Sequence, residues 1–334
     1  MQKSRSGLAL ALALVVIAPF ASSRAGEPAN AAGRGTPIEA SERGTSAVLH
    51  ASWPRYTLRA ERIWQLNLPK GERFDASGLA FTAQGDLLTI SDRGPTVYRI
   101  KFLENTNAAD LIEVPNCFTP AQLQPFAHEK IDRYDTEGVA LDEQGRIYIC
   151  EEANRWVLRC DPAAGSVERF AIDWSPVKKY FDPGDLNASF EGVTVANGRL
   201  YVANERQLGR IIVVDLASLR VIDDFVVRPA GSNARDIHYS DLSWFDGVLY
   251  ALLRESRCVL AINPADHRVL AEYNFKEMER EPDVLYRSLL PTGQMEGLAV
   301  DREYFWLVTD NNGTARARHP GDIRPTLFKC RRSK

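Results

Sequence analysis

Apolar and polar residues alternate with a period of two over short runs separated by Gly, Asn and Asp turns, and no sustained helical period interrupts them. The pattern is clearest mid-chain. There residues 192–195 predict one strand, Ala196-Asn197-Gly198 a tight turn, and 199–203, 210–215 and 220–227 three further strands. The same parse fits 138–141, 146–150, 155–160 and 166–172, and again 242–245, 248–253, 258–263 and 269–275. The last set is one strand short, with 297–300, 305–309 and 326–330, while residues 62–68 form an alternating strand with no set of their own.

Four strands in about 50 residues match one propeller blade. Each set opens on a short acidic step: Asp75-Ala-Ser77-Gly78, Asp135-Thr-Glu137-Gly138, Ser189-Phe-Glu191-Gly192, Tyr239-Ser-Asp241-Leu242 and Gln294-Met-Glu296-Gly297. Measured at Gly78, Gly138, Gly192, Leu242 and Gly297, the spacings are 60, 54, 50 and 55 residues. The expected fold is therefore all-β, a five-bladed β-propeller over 58–334, closed by the strand at 62–68, which hides the edges a sheet must otherwise protect. A sixth blade within 45–60 or 103–134 is left open, although Pro120-Ala-Gln-Leu-Gln-Pro-Phe there reads as helical or irregular. Three connections, 103–134, 173–189 and 276–293, are longer than a blade needs. Each precedes an acidic step, so all three should cap one mouth of the ring, where long loops on a rigid scaffold usually carry binding.

The start of the chain adds an address. Lys3 and Arg5 precede an apolar run over 7–21, and Ser23-Arg24-Ala25 offers small residues for cleavage, so 1–25 reads as a signal peptide and the protein as periplasmic or secreted. Residues 26–57, rich in Ala, Gly, Ser and Arg, read as a flexible leader. No later segment is apolar over the roughly 18 residues a membrane span needs. The formal net charge is -3, and removing 1–25 takes away only positive charges, which argues against a nucleic-acid partner. Cys117, Cys150, Cys160, Cys258 and Cys330 are an odd number for an oxidising compartment. Cys150 and Cys160 fall at opposite ends of one predicted hairpin, whereas Cys117 lies in a long connection and could reach a neighbouring blade.

The candidate chemistry is carboxylate chemistry. Glu137, Glu191, Asp241 and Glu296, with Ser77 at the matching place, would stand where the innermost strands begin, and Asp92, Glu151, Glu205, Glu255 and Asp310 would follow at the ends of the second strands. Carboxylates gathered around one channel raise each other's pKa, so something cationic must compensate. Oxygen-rich, histidine-poor ligands suit a hard cation such as Ca²⁺. Arg93, Arg155, Arg206 and Arg257 follow the second carboxylates and could neutralise them instead, leaving the acids to accept backbone N–H bonds from the adjacent blade. His238, beside the fourth step, could move protons. Ser77 and Ser243 lack a nucleophile elbow, His128 and His319 are dispersed, and Asp310-Asn-Asn312-Gly313 is half of a calcium loop without its distant Glu.

These residues also carry a resemblance. Ser77-Gly-Leu-Ala-Phe, Leu88-Thr-Ile-Ser-Asp92-Arg-Gly94, Thr136-Glu-Gly-Val-Ala, Phe190-Glu-Gly-Val-Thr, Ser240-Asp-Leu-Ser, Met295-Glu-Gly-Leu-Ala and Val308-Thr-Asp-Asn-Asn312 resemble the phytase-like propellers described as "esterase-like activity of phytase". They are similar too to the related SdiA-regulated proteins. The resemblance implies an exported propeller with a metal at its mouth, and matches Glu137, Glu191, Asp241 and Glu296 to the acidic step. Ser77 and Leu242 depart from the pattern. Together the readings point to a monomeric, calcium-dependent hydrolase of a small anionic ester or phosphoester. In it Glu191 and His238 are the catalytic candidates, and Arg93, Arg206 and Arg257 hold the anion. A sugar-lactone hydrolase and a non-enzymatic propeller binding a peptide, glycan or protein remain the alternatives.

Overall fold

In the computed structural model, residues 53–68, 71–126, 134–182, 184–185, 189–205, 209–232, 237–288 and 293–332 are described. The expected signal peptide, 1–25, and residues 26–52 of the expected leader lie outside them. The chain is nearly all-β, in mostly antiparallel sheets. Strands β1 (Arg55–Thr57) and β2 (Ala60–Asn67) precede the first unit, β3 (Ala76–Phe81), β4 (Leu87–Ser91), β5 (Gly94–Phe102) and β6 (Ala108–Glu113). After a short helix α1 (Pro120–Leu123) come β7 (Thr136–Leu141), β8 (Ile147–Glu151), β9 (Trp156–Asp161) and β10 (Ser166–Arg169). The third unit is β11 (Phe190–Ala196), β12 (Arg199–Asn204), β13 (Arg210–Asp215) and β14 (Arg220–Phe225), and the fourth β15 (Tyr239–Phe245), β16 (Val248–Leu253), β17 (Cys258–Ile262) and β18 (Val269–Asn274). Helix α2 (Lys276–Glu279) leads to β19 (Met295–Val300), β20 (Tyr304–Thr309) and β21 (Thr326–Arg331).

Strand β2 pairs antiparallel with β21, setting Trp64 opposite Leu327, and so supplies the strand the last unit lacks. Trp64 stacks on Trp306 with ring centroids 5.8 Å apart, which fixes that closure with a large apolar contact. Strand β2 also pairs parallel with β6, tying the last unit to the first in one eight-stranded sheet. Two stretches differ from the sequence reading. Residues 108–113, inside the expected long connection, form β6, because Ala109 and Leu111 bury completely against the first unit. Residues 55–57, inside the expected leader, add to the outer edge of the fourth sheet as a parallel strand beside β18.

The innermost strands touch in a cycle: β3 on β7, β7 on β11, β11 on β15, β15 on β19, and β19 back on β3. Apolar clusters fill each junction between consecutive units, for example Tyr201 and Ala203 against Leu249 and Ala251, and Leu252 against Phe305 and Leu307. Middle strands such as β12 and β16 are therefore covered on both faces and are buried nearly throughout, whereas outer strands such as β14 alternate with solvent.

Each innermost strand carries a β-bulge at its start. The register shifts between Ala76 and Gly78, Thr136 and Gly138, Phe190 and Gly192, Tyr239 and Asp241, and Met295 and Gly297. The extra residue in each is Ser77, Glu137, Glu191, Ser240 and Glu296, and such bulges re-aim a side chain beside a site. In four of the five units the residue that follows is a glycine with no room for a side chain. A Cβ on Gly138 would sit 2.7 Å from Val193 N, and one on Gly192 would sit 2.6 Å from Asp241 Cα. Neighbouring backbones meet there, at the hub of the ring.

Candidate functional site: an acidic mouth bridged by Arg254

The bulges correct the fourth acidic step by one residue. Its bulge residue is Ser240, and Asp241 occupies the register that glycine holds in the other units. Asp241 is fully buried at the hub. Its Oδ2 accepts the N–H groups of Leu298 (2.7 Å) and Leu79 (3.3 Å), and Oδ1 accepts that of Leu242 (2.8 Å). The side chain thus pins strands of three units together, filling space the surrounding glycines leave open. Burial pushes its pKa well above the usual carboxylate range, and the three N–H bonds pull it part of the way back.

A backbone bond repeated in every unit identifies the second ring. The N–H groups of Asp92, Glu152, Glu205, Arg254 and Asp310 donate to the carbonyls of Asp75, Asp135, Ser189, His238 and Gln294, at 3.2, 2.8, 2.7, 3.2 and 2.8 Å. The equivalent residues are therefore Glu152 and Arg254 where the sequence reading chose Glu151 and Glu255. Glu151 turns away into its own hairpin, with Oε2 accepting from Asn154 N (2.8 Å) and Nδ2 (3.0 Å). Glu255 stays at the flank, 3.8 Å from Arg254 Nε and 3.7 Å from His238 Nδ1.

Arg254 is the cation that the acidic pattern demands, and its place in the repeat is one a carboxylate holds in the other units. Its Nη1 donates to Glu296 Oε1 and its Nη2 to Glu205 Oε1, the latter at 2.5 Å. Burial works against its charge, but Glu296, Glu191 and Glu205 hold its pKa above the ordinary arginine value. One guanidinium does not neutralise the whole mouth. Burial, then Glu205, Glu137, Glu152 and Glu296, push Glu191 well up; burial, then Glu152, Asp135, Asp92 and Glu296, do the same to Glu137. Asp310 is raised by burial and by Glu296.

Within this field Glu152, Glu191 and Glu205 are all buried, and each offers an oxygen within 4.8 Å of the others. Three buried carboxylates converging this closely form a donor set for a hard cation. Glu296 Oε2, nearby and buried, has no hydrogen-bond partner, so a further oxygen is available. The residues present therefore fit a divalent ion such as Ca²⁺.

The sequence over 75–313 matches the family described as phytase-like, esterase-like activity of phytase. The chain belongs to the phytase-like family. Of the two families it resembles, this is the one whose pattern matches. Its fold is shared by the glutaminyl cyclase of Myxococcus xanthus, with 16% identity, 84% of this chain and 97% of that one covered, and a TM-score of 0.55. A virginiamycin B lyase from Staphylococcus aureus aligns more loosely, with 13% identity over 80% of this chain and 74% of that one and a TM-score of 0.40. No curated protein matches.

In this phytase-like chain the expected site residues separate into those brought together and those not. Glu137, Glu191 and Glu296 share the mouth, whereas Asp241 lies at the hub as described above. His238 stands at the rim, with Nδ1 3.9 Å from Glu205 Oε1 and its side chain 25% exposed. Arg93 reaches Asp75 Oδ2 at 3.6 Å, beside Arg73 at 2.7 Å. Arg257 instead pairs with Glu279 of α2 at 2.7 Å, and the other oxygen of Glu279 accepts Gln294 N–H. That guanidinium braces the wall behind the ring. Arg206 lies outside the described residues. Sequence reasoning missed Glu152 and Arg254 because each adjoins the residue it picked: the hairpin that sets Gly138 opposite Cys150 is one residue longer than the one that sets Gly192 opposite Ala203, and the fourth repeat is in register at Asp241 and not Leu242. Among the described residues no helix is long and apolar enough to cross a membrane.

Proposed function

We propose that the protein is an exported, five-bladed β-propeller that binds a divalent cation, Ca²⁺ by donor chemistry, in its acidic mouth and hydrolyses a small ester or phosphoester there. The convergence of Glu152, Glu191 and Glu205 in a phytase-like chain carries this reading. The cyclic contacts of the innermost strands and the β2–β21 pairing support the count of five blades and their closure. Glu152, Glu191 and Glu205 would hold the ion, which when bound supplies Lewis-acid polarisation of the substrate's scissile oxygen. Glu191 belongs to this set and not to proton transfer, because its carboxylate converges with the other two. His238, partly exposed at the rim between Glu205 and Glu255, takes the proton from the attacking water and returns it to the leaving group. Arg93, half-exposed next to Asp75, offers a donor to the substrate's anionic end.

Thermal unfolding with Ca²⁺ and with chelator tests the cation: a ligand bound only by the folded state raises the midpoint with its concentration. Wild type should show the rise, and Glu191→Gln and Glu152→Gln should lose it. A panel of nitrophenyl esters and phosphates tests the chemistry, with turnover expected in wild type and at least a hundredfold loss, on the order seen for general acid–base groups, in His238→Gln. N-terminal sequencing of the exported protein should begin at Gly26.

Arg254 favours a second reading. Bridging Glu205 and Glu296, it provides internal neutralisation, as a binding propeller with no metal would need. Absence of both the calcium shift and turnover would select that reading over the first.

A further inference from the structure

All five thiols are buried and unbridged in the structure, yet two of them are neighbours. The Sγ of Cys160, on β9, lies 3.5 Å from the carbonyl oxygen of Asn116, the residue that precedes Cys117. Cys117 and Cys160 also belong to one apolar cluster with Leu123, Leu158 and Phe118.

The local chain is built to keep this approach. Asn116 and Phe118, flanking Cys117, both adopt left-handed φ values, +57° and +51°, a conformation a bulky residue holds only when its surroundings impose it. Those surroundings are visible. Thr119 caps α1 with a reciprocal Gln122 bond, and Gln122 Nε2 donates both to Asn116 O (3.1 Å) and to Gly165 O (2.9 Å), in the turn that follows Cys160's strand. The segment that carries Cys117 is thus fastened to the β9–β10 hairpin beside Cys160.

We propose that Cys117 and Cys160 form a structural disulfide when the protein meets an oxidising disulfide donor, and that this bond locks the α1 segment onto the second unit. The reaction is two thiol–disulfide exchanges. One of the two cysteine thiolates attacks a donor sulfur and expels a donor thiolate; the other sulfur, losing its proton to solvent, then attacks the mixed disulfide at the cysteine sulfur and expels the second donor thiolate. Two cysteine thiols are oxidised and one donor disulfide is reduced to two thiols. Because both sulfurs are buried in the finished fold, the exchange belongs to folding, before the segment docks. Cys150, Cys258 and Cys330, each buried in other clusters, stay reduced.

The test counts thiols. Full-length protein refolded with oxidised glutathione, then denatured and alkylated without reductant, should take up three labels by mass, against five after reduction, from the five cysteines of the chain. Peptide mapping should recover Cys117 linked to Cys160. Cys117→Ser and Cys160→Ser should each take up four labels in both states. The oxidised wild type should melt about 5–10 °C above the reduced form, as for a loop of this length, and the gap should vanish in the variants. Five labels on the oxidised wild type, or a bond between any other two cysteines, would overturn the proposal; the wild-type count decides it even if a variant fails to fold.

Discussion

The third and fourth units share one backbone and opposite chemistry. Both are built on four antiparallel strands, both open on a bulge, and in both the residue after the second strand donates its N–H to the residue preceding the first. Yet the third unit places Glu191, Gly192 and Glu205 where the fourth places Ser240, Asp241 and Arg254. The unit that breaks the pattern supplies both the mouth's guanidinium and the hub's carboxylate. Repetition fixes positions in space, and one divergent copy makes the charge tolerable.

Removing that divergence at Arg254 should have the largest effect. Arg254→Leu leaves Glu205 and Glu296 facing each other without their shared partner and should cost about 3–5 kcal/mol in urea unfolding. If Ca²⁺ restores part of the loss, cation and arginine are interchangeable at this place; a variant as stable as wild type would erase the distinction between the units. Asp241→Gly makes the fourth hub position like the third. It strips the acceptor from Leu79 and Leu298 N–H groups and should cost about 3 kcal/mol, with Asp241→Asn, which keeps one acceptor oxygen, losing less. The converse change, Gly192→Ala, drives a methyl against the Asp241 backbone and should cost about 2 kcal/mol; an unaffected stability would mean that the hub is elastic.

The smallest effect is a slope with pH. Glu137 and Glu191 are held above the ordinary carboxylate value by burial and by other carboxylates, so the folded form holds their protons more tightly than the unfolded chain does. Their contribution is greatest below the ordinary value and is lost as pH rises through the folded-state values. With chelator present, stability should therefore fall from pH 5 to pH 8; the surface pairs that depress Asp142 and Asp322 act only at lower pH. Saturating Ca²⁺ should flatten the slope, and a slope unchanged by Ca²⁺ would favour neutralisation by Arg254 without a cation.

Much of this was legible in the chain. The strands of units two to four lie within a few residues of where alternation put them, and the isolated strand at 62–68 does pair with the last unit, because both signals are local or follow from counting. The glycines of the acidic step likewise stand where backbones crowd. What alternation could not locate were contacts between residues far apart in sequence. A hairpin one residue longer, as in the second unit, or a repeat anchored one residue off, as in the fourth, shifts the later positions, so a reading that counts a fixed interval errs by one; Glu151 for Glu152 and Glu255 for Arg254 are such errors. The strand at 108–113 was hidden for a related reason: Ala108-Ala109-Asp110 has little β character of its own and pairs because β2 and β5 flank it. Sequence alone therefore determined the class of fold, its repeat and its store of carboxylates, since these depend on period and composition. Tertiary structure decided which carboxylates converge, which arginine answers them and which cysteines meet, since those depend on register and ring closure, which no local stretch of chain encodes.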